Sequence, residues 1–185
     1  MMWLFWGFLL VALIWVIAMY NTLIALRHQI QNAWKQIDVQ LKRRYDLIPN
    51  LIETVKGYLQ YEQDTLQRVI DARSKAMASA GVKDTAAAQN ELTQSLGRVF
   101  AVMESYPDLK ANENVLRLQE ELTTTENQIA FARQYYNDLV MRFNMKQEVF
   151  PSNVIAGFFR FQPAEFFTVP ENDKSLPRVD LKLHP

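Results

Sequence analysis

Apolar positions divide this chain into one unbroken block and a series of periodic stripes. The block is MMWLFWGFLLVALIWVIAMY, in which no side chain from Met1 to Met19 is charged or strongly polar. At ~1.5 Å per helical residue it reaches roughly 28 Å, close to the ~30 Å hydrocarbon thickness of a bilayer. In lipid the backbone must satisfy its own hydrogen bonds, so the block predicts a helix. Trp3 and Trp6 near one end, and Trp15 and Tyr20 towards the other, fall where amphipathic rings favour the two membrane interfaces. A signal peptide would show a basic n-region, a shorter apolar run and a small-x-small cleavage site. The first Lys or Arg is Arg27, and residues 1–20 therefore read as a retained transmembrane anchor.

Beyond the block the pattern becomes helical stripes. Ile30, Trp34, Ile37, Leu41, Tyr45 and Ile48 recur at intervals of three and four, with no Gly or Pro separating them from the anchor. One rod running from the bilayer into the domain is expected. Pro49 removes a backbone donor and disfavours the α conformation at Ile48, which predicts a kink or restart rather than a hairpin. The stripe then resumes as Ile52, Val55, Leu59, Glu62, Leu66, Val69 and Arg73. Ala80 and Gly81 mark a helix end, and Asp84 or Thr85 offers an N-cap for a helix carrying Leu92, Leu96, Val99 and Met103. That helix ends near Tyr106-Pro107. Asn112 or Asn114 can cap the last long helix, expected over Glu113 to Met145. Its stripe is Val115, Leu118, Leu122, Thr125, Ile129, Ala132, Tyr136, Leu139 and Phe143, a heptad that predicts coiled-coil-like, left-handed packing.

The final forty residues change character. Phe150, Phe158, Phe159, Phe161, Phe166 and Phe167 crowd a segment where Pro and Gly forbid a continuous helix. The domain reading is thus an anchor over 1–20, a helical bundle over 21–146, a Phe-rich segment over 147–169, and a polar, mobile tail over 170–185. The Phe residues are too many to leave in water, so they are candidates for docking on their own bundle or for self-association, with lipid as a third partner.

Composition sharpens this picture without changing it. Five Gly and seven Pro in 185 residues, and no Cys, fit an all-α fold without disulfides, thiolate nucleophiles or Cys-based metal sites. Twenty basic residues balance twenty acidic ones, so the basic excess of a nucleic-acid binder is missing. Arg27, His28 and Lys35 follow the block while its other flank is uncharged. The positive-inside rule then places the N-terminus outside and the domain in the cytoplasm.

Three separated blocks, YNTLIALRHQIQNAWKQIDVQLKRRYDLIPNLIETVKGY (Tyr20–Tyr58), ARQYYNDLVMRFN (Ala132–Asn144) and FPSNVIAGFFRFQPAEFF (Phe150–Phe167), resemble the LemA family of bacterial membrane proteins. The resemblance runs from the anchor to about Val169. It implies a single N-terminal transmembrane helix continuing into an antiparallel up-down bundle of long helices, located in the bacterial inner membrane. It implies no enzyme activity and no cofactor. A related branch takes part in building magnetosome membranes, which suggests membrane shaping as a role.

Candidate chemistry is sparse. A di-iron bundle needs Glu-x-x-His pairs on facing helices, and neither His28 nor His184 belongs to one. Gly is too scarce for a phosphate cradle, and no G-x-S-x-G, H-E-x-x-H or P-loop pattern occurs. Lys42, Arg43 and Arg44 would stand roughly 33 Å beyond the span, several times the ~8 Å Debye length, so they should not feel the anchoring bilayer. They read instead as a solvated face plus one interior ion pair at Arg44, and Arg73 and Arg133 fit the same pattern. Such buried charges fix register more than they add stability. Tyr135, Tyr136, Asn137 and Asn144 read as packing and hydrogen bonds to the Phe-rich segment rather than as a binding site. The functional expectation is a membrane-anchored, self-associating scaffold that organises or remodels membrane. The alternative is an adaptor or regulatory subunit of another membrane protein such as a protease or transporter. A ligand sensor or enzyme in the bundle core is disfavoured by the missing motifs.

Overall fold

In the computed structural model, which describes residues 2–168, the chain forms six helices and no strand. The expected mobile tail over 170–185 lies outside the described residues, as does Val169. Helix α1 (Met2–Val55) is continuous for 54 residues, roughly 80 Å, from the apolar block into the domain. Helices α2 (Gln63–Ala78), α3 (Val82–Met103) and α5 (Glu113–Glu148) complete the bundle. The short α4 (Pro107–Lys110) and α6 (Ser152–Phe158) cap its two ends.

The helices alternate in direction. Arg44 of α1 meets Glu126 of α5, and Trp34 meets Tyr136, so α5 runs back along α1 towards the membrane. Tyr45 of α1 meets Ala76 at the end of α2, and Lys75 of α2 meets Glu91 of α3. The half of the domain far from the anchor is therefore a four-helix antiparallel bundle. Its core contains Ile48, Leu51, Val55, Leu66, Val69, Leu92, Leu96, Val99, Val115 and Leu122. Nearer the anchor, α1 and α5 pack as a pair whose core holds Leu23, Ile30, Ile37, Ile129, Tyr136, Leu139 and Phe143. There α6, a turn at residues 159–160 and the non-helical residues 161–168 take the place of α2 and α3.

Two expectations about helix ends are corrected. Helix α1 does not restart at Pro49: the helix runs through it to Val55. The break lies instead at residues 56–62, where a hairpin reverses the chain although the 3–4 stripe continues through it. Leu59 sits in that turn and is fully buried under the bundle. Spacing alone cannot distinguish a turn that buries one residue from another helical turn, and Gly57 was the available signal. At the start of α3 neither Asp84 nor Thr85 caps the helix. Gly81 occupies the N-cap with φ 82°, a conformation suited to glycine, and Thr85 is buried inside the helix. Asn112, by contrast, caps α5: its Oδ1 accepts from the backbone N–H groups of Asn114 (3.0 Å) and Val115 (3.3 Å).

Candidate functional site

Proline at position 49 deprives the carbonyl of Tyr45, four residues earlier, of its helical partner. Arg73 supplies the replacement, its Nε donating to Tyr45 O at 2.8 Å. Arg73 was expected in an interior ion pair. Among the described residues it forms none, because its guanidinium serves this carbonyl across the α1–α2 contact.

One turn away, Arg44 is 2% exposed and lies at the centre of a polar cluster that joins all four bundle helices. Its Nη1 pairs with Glu126 Oε2 at 2.9 Å and its Nη2 donates to Thr93 Oγ1 at 2.8 Å. Gln89 accepts from Arg44 Nη1 at 3.3 Å and donates to the Tyr45 hydroxyl, which donates in turn to Ala76 O at 3.2 Å. Burial pushes the Arg44 guanidinium down from its ordinary pKa, and the Glu126 carboxylate opposes that shift. Arg133 is likewise lowered by burial, with Glu126 opposing. Its guanidinium lies over the Phe167 ring, 4.7 Å from the centroid. Among the described residues its Nε and Nη2 have no hydrogen-bond partner. Gln89, Thr93 and Glu126 were not singled out from sequence. Gln89 left a trace, a polar residue on the α3 stripe between Thr85 and Leu92. Glu126 is already engaged by Arg44, so it is not poised as a base for a nucleophile. No group of three or more His, Cys, Asp or Glu residues arranged to hold a metal occurs among the described residues.

The Phe-rich segment is held by a two-point clamp. Asn144 donates to Ala164 O (2.9 Å) and accepts from Ala164 N (2.8 Å). Asn137 does the same with Phe167, at 3.0 and 2.8 Å. Seven helical residues and three extended ones both advance the chain by about 10 Å, so the spacing of the two Asn matches an extended strap. Tyr136 adds a hydrogen bond from its hydroxyl to Glu165 O at 2.9 Å. The six Phe divide accordingly. Phe167 is buried against Trp34, and Phe161 packs on Phe143 and Tyr20. Phe159 stacks on Tyr20 while remaining about half exposed. Phe150, Phe158 and Phe166 face outwards. Trp3 and Trp6 stand out along the apolar block, Trp15 less so, and Tyr20 is covered by the Phe159 and Phe161 rings.

The sequence profile of the LemA family matches residues 33–181, which takes in the polar cluster, the clamp and the Phe-rich segment. The chain belongs to the LemA family. Among curated proteins it is similar to the protein LemA of Metamycoplasma hominis, 29% identical over 138 residues, 74% of this chain and 63% of that protein. It is also similar to the magnetosome protein MamQ 2 of Paramagnetospirillum magneticum, 23% identical over 174 residues, 80% of this chain and 64% of that protein. MamQ of Magnetospirillum gryphiswaldense is 22% identical over 185 residues, 85% of this chain and 68% of its own. The chain thus spans a little under two-thirds of the length of the first two relatives.

In this LemA-family bundle one long face is left bare. Helices α2 and α3 cover one side of the α1–α5 pair, and Val39 of α1 with Phe131 and Tyr135 of α5 are exposed on another. They line an open groove of about 550 Å³ with Gln36, Gln40 and Gln128. No carboxylate or basic side chain lines it. Phe131 is 71% exposed on a helix whose inward stripe is complete without it, so packing among the described residues does not account for it.

Proposed function

We propose that this LemA-family chain is a non-enzymatic, membrane-anchored scaffold that self-associates and organises or remodels the bilayer holding it. The observation that carries this reading is the continuity of α1 from the apolar block to Val55. No loop lies between anchor and bundle to absorb rotation. A contact between neighbouring bundles is therefore passed to their anchors as tilt, and linked anchors that tilt together bend or order a membrane.

The groove at Val39, Phe131 and Tyr135 is the surface through which copies meet. It is apolar, rimmed by neutral Gln, and lies along the rigid helix pair. The partners are then the lipid bilayer and further copies of the chain, and no nucleic acid. Relatives named as magnetosome proteins support a membrane role. Arg27 and Lys35 follow the anchor on the domain side, which favours a cytoplasmic bundle in the inner membrane. The second reading, an adaptor for another membrane protein, uses the same groove with a different occupant.

Light scattering on the full-length protein in mild detergent tests the scaffold, with Phe131→Glu beside it. A discrete multimer that dissociates on Phe131→Glu is expected. A monomeric wild-type protein would overturn self-association and leave the adaptor reading.

A further inference from the structure

The end of the bundle nearest the anchor carries an apolar surface that no described residue covers. In α6, Ser152, Ile155 and Ala156 are buried against the bundle, while Val154 and Phe158 point away, Phe158 being 80% exposed. Phe150, just before α6 in the chain, is also exposed. Large aromatic rings of this kind are costly to leave in water.

The height of this surface identifies what covers it. Pairing of Arg44 with Glu126 and Trp34 with Tyr136 fixes the register of α5 against α1. Extending that register brings Glu148, the last residue of α5, level with Thr22. Helix α6 follows directly and packs against α1, and Val16, Met19 and Tyr20 lie against the cluster that includes Ile155 and Ala156. The Phe159 ring sits 4.6 Å from the Tyr20 ring. The last turn of the apolar block and α6 are therefore at one level. If α1 spans the bilayer to Met19, α6 is at its surface.

We infer that α6 is a foot resting in the membrane interface, with Phe150, Val154 and Phe158 inserted at the boundary of headgroups and acyl chains. Basic groups stand immediately behind it. Arg27 and Arg160 line a cleft of about 330 Å³ between α1 and the turn after α6, and neither is ion-paired among the described residues. Apolar residues towards the acyl region with cations at headgroup level is the arrangement of interfacial amphipathic segments. The foot gives each copy a second point of lipid contact beside its anchor, and so fixes the tilt of the bundle. It rests on the anchor reading but not on self-association.

The absence of Cys permits single labels without background substitutions. Nitroxides at Val154→Cys and Phe158→Cys would be compared with Leu13→Cys in the anchor and Tyr61→Cys in the distal turn. The protein is held in phosphatidylcholine vesicles containing phosphatidylglycerol, and collision rates with oxygen and with a water-soluble nickel chelate are read. The foot predicts that positions 154 and 158 prefer oxygen, as position 13 does, while position 61 prefers nickel. Nickel preference at 154 and 158 with oxygen preference at 13 overturns the foot and leaves the anchor standing. Nickel preference at position 13 too overturns both. Protection at 158 with dipolar broadening that disappears on dilution with unlabelled protein assigns the surface to a second copy, which also overturns the foot.

Discussion

At residue scale the bundle is pinned by two cations that do different work. Arg73 gives the Tyr45 carbonyl the donor that Pro49 withholds, and this explains how a helix passes through an interior proline. Arg73→Met should destabilise by about 1–3 kcal/mol, the cost of an orphaned, partly buried acceptor. Adding Pro49→Ala should recover most of that loss, because residue 49 then has its own N–H. Chemical denaturation of the two variants checks the coupling, and additive effects would contradict it. Arg44 is a different case, a buried ion held by Glu126. Glu126→Gln should cost roughly 2–4 kcal/mol by leaving that charge unpaired, moderated because the Glu126 side chain is 35% exposed. Arg44→Met with Glu126→Leu should be much closer to wild type, as expected for a pair that specifies register. The sequence made Arg44, Arg73 and Arg133 visible as charges on or beside apolar stripes. It did not reveal their partners, since Gln89, Thr93 and Glu126 meet Arg44, the Tyr45 carbonyl meets Arg73 and the Phe167 ring meets Arg133 only through the fold.

Among the elements, the long helices were legible because their apolar spacing is sustained and their caps are local. Asn112→Ala should cost about 1 kcal/mol through loss of the cap on α5. The hairpin at residues 56–62 was misread as helix because Leu59 keeps the stripe in phase. Gly81 was read as the end of one helix, whereas its positive φ starts the next. Gly81→Ala meets no neighbouring atom, so its expected cost of about 1–3 kcal/mol comes from backbone conformation alone. The strap over residues 162–168 depends on Asn137 and Asn144. Replacing both with Ala should raise amide exchange at Ala164 and Phe167 by roughly fivefold or more, from the loss of about 1 kcal/mol or more of hydrogen bonding. Exchange within α5 should change little.

For the whole molecule, function follows from what the chain leaves uncovered. The anchor, the continuous α1 and the bare α1–α5 groove together describe a rigid module that presents one face sideways in a membrane. The Phe-rich segment is expected from sequence to pack on its own bundle, on a second subunit or on lipid. Phe161 and Phe167 are spent on the chain's own bundle, which moves the proposed contact to Val39, Phe131 and Tyr135. That face was invisible in sequence because α5 has exposed apolar residues off its stripe, and spacing does not reveal which helix flank lacks a neighbour.

Thiol cross-linking in the native membrane tests this account most directly. A single Phe131→Cys would be oxidised in place beside Gln67→Cys on the exposed face of α2. The account predicts efficient covalent dimers from position 131 and few from position 67. Monomer at position 131, or equal yields at both, would contradict a scaffold built through the α1–α5 groove.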